Sequence, residues 1–232
     1  MRFLTAEWRD LIHLQYDVPR SLLSPLVPKG TELDHFDGRL LASLVGFRFV
    51  GMGIRGIPIP GYGAFEEVNL RFYVVPSGQP DKRAVVFIRE LVPARIVAEA
   101  ARLTYNEPYL RVPMSHAIGP EGIAYRWTYD AKEFEMRAAR DGAPRPLAPG
   151  TVEEFIGDRH WGYTRMEDGS TIEYQVDHPR WEVASLKDAG VFGPLATLYG
   201  DAWAEILSDP PTSAFYAVGS KIAIHAWTPF AA

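Results

Sequence analysis

Apolar and polar side chains alternate without a break along EVNLRFYVV. Val68, Leu70, Phe72 and Val74 fall on one side of an extended chain, and Glu67, Asn69, Arg71 and Tyr73 on the other. That period of two predicts a strand. Ala84 to Leu91 predicts a second strand, and SGQPDK between the two reads as a hairpin loop. Leu40 to Val50 is almost continuously apolar and predicts a buried strand. Further on, GIAYRWTYD and EFEMRAAR flank a tight DAK turn, and WGYTRM and TIEYQV flank EDGS, giving two more hairpins. AFYAVGSKIAIHAW near the end reads as two strands with a turn at Gly219 and Ser220.

Helical spacing is scarcer. Leu22, Leu23 and Leu26 share one side of a helical turn over Ser21 to Leu26. Ile96, Val97, Ala100, Ala101 and Leu103 predict a helix opened by Pro93 and ended near Asn106, before Pro108. Thr151 and Glu154 form a capping-box pair that starts a short helix through Ile156, and Ala196 to Leu207 reads as helical. With 20 glycines and 19 prolines spread between short alternating segments, the pattern is β-rich. The fold class expected is α+β: one domain over residues 1–232, a large curved antiparallel sheet or barrel with three or four short helices. GMGIRGIPIPGYGAF, from Gly51 to Phe65, reads as a loop, and one that long suits a binding loop or lid.

Composition removes several classes of function. The chain has no cysteine, which excludes disulfides, thiolate catalysis and cysteine-ligated metals and fits a reducing compartment. The first 16 residues carry charges throughout, unlike a signal peptide, and no apolar run approaches 18 residues. A cytoplasmic location and no membrane partner are therefore expected. Net charge is −5 with no basic run, so nucleic acid is not an expected partner. The six histidines, at 13, 35, 116, 160, 178 and 225, show no metal-ligand spacing, so no metal is expected. Gly51, Gly53 and Gly56 match GxGxxG spacing, but the segment runs into IPIPG rather than a helix, and no cofactor is expected.

The row Glu67, Asn69, Arg71 and Tyr73 carries the most chemistry. A solvent-facing strand would carry the same mixture. Pointed into a barrel, the row is costly unless its members bond to each other or to a ligand. A buried Arg71 suits a carboxylate or a polarised carbonyl, and a neighbouring Glu67 suits a general base. His178, in DHPRW, is either a turn residue or part of a pocket rim.

Several segments together resemble the YqjF-like family of uncharacterised bacterial proteins. They are Trp8 and Leu11, Tyr16 to Pro19, Val27 to Arg39, Leu44 to Phe49, Phe65 to Val74, Ala101 to Tyr109 and His178 to Trp181. The resemblance implies membership of the acetoacetate-decarboxylase-like superfamily, with a β-barrel and flanking helices around a pocket. The decarboxylases proper use a Schiff-base lysine in an R-E-x-x-x-x-P-K-K segment. Here Arg102 and Pro108 keep the Arg-to-Pro spacing, but Tyr109 and Leu110 stand where the lysine pair would be. Tyrosine forms no imine, so acetoacetate decarboxylation is not expected. By the same resemblance Glu67 corresponds to an acidic residue on the pocket wall.

Two functions follow for a small-molecule ligand. One is an enzyme acting on a small oxygenated acid or carbonyl compound, with Glu67, Arg71 and Tyr109 catalytic and Asn69, Tyr73 and Arg102 binding substrate. The other is a non-catalytic metabolite-binding protein using the same pocket. A purely structural module fits the inward polar row less well. Formation of a homo-oligomer is left open.

Overall fold

The computed structural model describes residues 2–59, 63–94, 98–99 and 105–231. In chain order its elements are β1 (Arg2–Asp17), α1 (Arg20–Leu23), β2 (Thr31–Leu33), β3 (Leu41–Ile54), β4 (Ile57–Pro58), β5 (Ala64–Pro76) and β6 (Ala84–Val92). They continue with β7 (Tyr109–Arg111), β8 (Met114–Ile118), β9 (Gly122–Tyr129), β10 (Lys132–Pro146), α2 (Val152–Gly157), β11 (Trp161–Arg165) and β12 (Thr171–Asp177). The last are β13 (Glu182–Phe192), α3 (Leu195–Tyr199), α4 (Asp201–Ser208), β14 (Ser213–His225) and β15 (Thr228–Pro229). The chain is α+β, β-rich, with four short helices among the described residues. None of these helices is long and apolar enough to cross a membrane.

Strand pairing closes a ring in the order β12–β11–β6–β5–β3–β1–β14 and back to β12, through Val176 opposite Ile224. The β6–β11 contact is parallel, and the other pairings around the ring are antiparallel. A second arm, β13–β10–β9–β8, leaves the ring at β14.

That branch point rests on one glycine. The two strands expected around Gly219 are a single strand, β14, which pairs with β1 along one edge. Its other edge pairs first with β13 at Phe215–Ala217 and then with β12 at Ala223–Ile224. Gly219 has φ +83°, and a Cβ there would lie 2.0 Å from the Trp8 carbonyl oxygen. Only glycine admits that approach without displacing β1.

Other boundaries moved for local reasons. Within the expected Gly/Pro loop, β3 and β4 form a hairpin turned by Arg55 and Gly56 with φ of 50° and 82°. Gly200, at φ 82°, splits the expected helix Ala196–Leu207 into α3 and α4. The helix expected from Pro93 to Asn106 falls largely outside the described residues. The capping box formed: Thr151 Oγ1 accepts from the Glu154 amide, starting α2.

The alternation of β5 separates two apolar clusters. Val68, Leu70, Phe72 and Val74 pack outward into the cluster shared with β9, β10 and α4. Inside the ring, Leu11, Val45, Phe47, Phe49, Phe65 and Trp181 form the other. Each fully buried aliphatic or phenyl side chain contributes about 1.5–3 kcal/mol.

Candidate functional site

Within the ring lies a cavity of about 150 Å³. All seven ring strands border it, through residues such as Trp8, Phe47, Glu67, Phe87, Trp161, Tyr174 and Ile224. Glu67, Asn69 and Arg71 all border it, as their shared strand face predicted.

The three residues are desolvated. Glu67 and Asn69 are each 2% exposed and Arg71 9%. Asn69 Nδ2 donates to Glu67 Oε1 at 3.0 Å, and Tyr109 Oη donates to Oε2 at 3.2 Å, so both carboxyl oxygens are held. Burial raises the Glu67 pKa to about 7, against the opposing pull of those two donors and of Arg71. That shift moves the carboxyl toward the range in which it can exchange a proton in either direction.

Arg71 contrasts with the other buried guanidinium on the cavity wall. Arg159 donates to Asp34 at 2.8 Å, to the Phe155 carbonyl at 2.7 Å and to the Ala84 carbonyl at 3.1 Å, and it sits over the Tyr73 ring. Its donors are used. Arg71 makes no hydrogen bond or ion pair with any described residue, and its Nε is buried without a partner. Its charge still acts at a distance, favouring the ionised forms of Glu67 and Glu90.

Two further carboxyls, missed by the sequence reading, join the cavity. Glu90 on β6 is the register partner of Tyr109 on β7. Glu107, just before β7, also borders the cavity, and it accepts a short hydrogen bond from the Tyr174 hydroxyl. Burial raises both pKa values, that of Glu107 to about 8, and the neighbouring carboxyls add to the effect. The one signal the sequence offered for Glu90 was its place in the strand predicted from Ala84 to Leu91. Strand pairing, not sequence spacing, brings it to Tyr109. Glu107 carried no comparable signal.

The remaining candidates divide. Tyr109 lies in the cavity, where burial raises its pKa well above the ordinary tyrosine value. Tyr73 does not border it; its hydroxyl bonds to Ser43 and its ring packs edge-on against Phe155. Arg102 lies outside the described residues. His178 does form part of the wall, stacked 4.6 Å from the Trp181 ring and 4.5 Å from the His160 ring. None of the five lysines reaches the cavity: Lys29, Lys132, Lys187 and Lys221 are exposed, and Lys82 pairs with Glu173.

The ring of strands gives the chain an acetoacetate-decarboxylase-like fold. Acetoacetate decarboxylase from Legionella pneumophila superposes with a TM-score of 0.69 over 99% of this chain and 87% of that one, at 12% identity. The enduracididine biosynthesis enzyme MppR, complexed with pyruvate, gives 0.72 over 99% and 91%, at 10% identity. An acetoacetate decarboxylase-like enzyme from Sphingomonas wittichii RW1 gives 0.69 over 99% and 94%, at 11% identity. Within that fold, the chain belongs to DUF2071, a family of uncharacterized conserved proteins whose model matches residues 5–221. It is 30% identical over 179 residues to uncharacterized protein YqjF of Bacillus subtilis (strain 168), covering 74% of this chain and 72% of that protein.

Proposed function

We propose that the cavity binds a small carboxylate-bearing carbonyl compound and that Glu67 exchanges a proton with it. The observation carrying this reading is the unpaired, buried guanidinium of Arg71 on the wall of the same cavity as Glu67. An ionised group left unpaired in an apolar interior costs several kcal/mol, and a carboxylate ligand offsets that cost with two parallel hydrogen bonds.

In this scheme Arg71 holds the substrate carboxylate. Glu67, ionised, removes a proton from the carbon next to the carbonyl, and the electron pair of that C–H bond moves onto the carbonyl oxygen as an enolate. The Glu67 carboxyl then holds the proton and returns it to carbon or passes it on. Asn69 and Tyr109 orient the Glu67 carboxyl, and Tyr109 is placed to supply a proton to oxygen. Protonated Glu107 keeps the cavity from accumulating negative charge when an anion enters. No imine forms, because no lysine reaches the cavity.

The MppR neighbour is complexed with pyruvate, which makes pyruvate a reasonable first probe. The protein in D2O should speed loss of the pyruvate methyl proton signal in NMR, and Glu67→Gln should abolish that exchange while retaining pyruvate binding. Binding without exchange in the native protein would favour the second reading, a metabolite-binding protein. Absence of both binding and exchange would refute the Arg71 assignment.

A further inference from the structure

The cavity wall sorts by chemistry along the strands. On β5 the inward order is Phe65, Glu67, Asn69, Arg71. Phe49 on β3 stands opposite Phe65, and Phe47 opposite Glu67. Trp8 on β1 pairs with Phe49, and Leu4 pairs with Ile54 on one side and Ile224 on the other. The wall therefore runs from the Arg71 guanidinium, past the Glu67 carboxyl, into a stretch of aliphatic and aromatic side chains from β1, β3 and β14. Trp8, Phe47 and Phe49 meet there at 5.4–6.1 Å between ring centroids, and they border the same void as Arg71 instead of filling it.

We infer that this end, lined by Trp8, Phe47, Phe49, Met52, Ile54 and Ile224, is a subsite for an apolar tail, and that the ligand is a carbonyl acid with a hydrocarbon side chain rather than pyruvate itself. The inference rests on Arg71 as the carboxylate anchor. A ligand held there with its carbonyl at Glu67 meets, past that carboxyl, a wall of aliphatic and aromatic side chains whose polar atoms are the Trp8 Nε1, buried without a partner, and the neighbouring His178 ring. The void is comparable in volume to an engineered apolar cavity that accepts benzene, so the tail is short.

Calorimetric titration at pH 6 with straight-chain 2-oxo acids, from pyruvate to 2-oxohexanoate, tests this. Affinity is expected to rise roughly fourfold per added methylene, the increment for burying one CH2. Ile54→Trp, which fills the far end from a half-buried position, should flatten the series. If every acid binds with the same affinity, or longer acids bind more weakly than pyruvate, the tail subsite is refuted while the Arg71 anchor stands. If no acid binds, the anchor itself fails and the tail subsite with it.

Discussion

The two faces of β5 are equally buried and chemically opposite. Outward, Val68, Leu70, Phe72 and Val74 are all 0% exposed; inward, Glu67, Asn69 and Arg71 are no more than 9% exposed. Burial alone therefore does not distinguish a core from a site. The outer face gains free energy from each apolar group removed from water. The inner face holds a guanidinium without a partner and a carboxyl whose pKa burial has moved to about 7, both of which cost stability.

The comparison breaks first on the outer face. Phe72→Ala should lose about 3–5 kcal/mol of stability in urea denaturation, the cost of a phenyl-sized cavity. A loss below 1 kcal/mol would mean that the outer face is not the stabilising one. On the inner face Arg71→Met should do the reverse: the melting temperature stays the same or rises, because an uncompensated charge has gone. Pyruvate affinity should meanwhile fall roughly 10- to 100-fold, the loss of a charged hydrogen-bonded contact. Marked destabilisation would show that Arg71 is a structural residue like Arg159.

Smaller effects come from the carboxyls. The folded chain keeps protons on Glu67 and Glu107 up to pH of about 7 and 8, whereas the unfolded chain releases them near 4.5. The native state therefore binds more protons across that window, and stability must fall as pH rises through it. Glu67→Gln should recover on the order of 1–3 kcal/mol at pH 8 and much less at pH 5, flattening the thermal-denaturation profile. A profile unchanged by the substitution would place Glu67 in contact with water. Tyr109→Phe should do least: loss of one donor to the carboxylate moves the midpoint of the proton-exchange pH profile upward by less than about one unit.

Much of this was legible before any tertiary contact. The alternation of residues 67–75, the capping box at Thr151, the hairpin turned at Asp130 and Ala131, and the absence of a lysine after Pro108 are properties of neighbouring residues. Such features depend on the period of an extended chain or the φ a turn requires, and both are readable within a few positions. The site was half legible for the same reason: Glu67, Asn69 and Arg71 share one strand, but Glu90 and Glu107 reach them only through pairing of β5 with β6 and β6 with β7.

The sequence by itself thus determined the strand faces, the candidate base and cation, and the absence of a lysine after Pro108. The tertiary structure alone decided that the strands close into a ring, that β14 passes unbroken through Gly219 to join both arms, and that Arg159 is paired while Arg71 is not. Ring closure and desolvation are sums over contacts between residues far apart in the chain. No local pattern encodes whether a given arginine will find its partner, as Arg159 does and Arg71 does not.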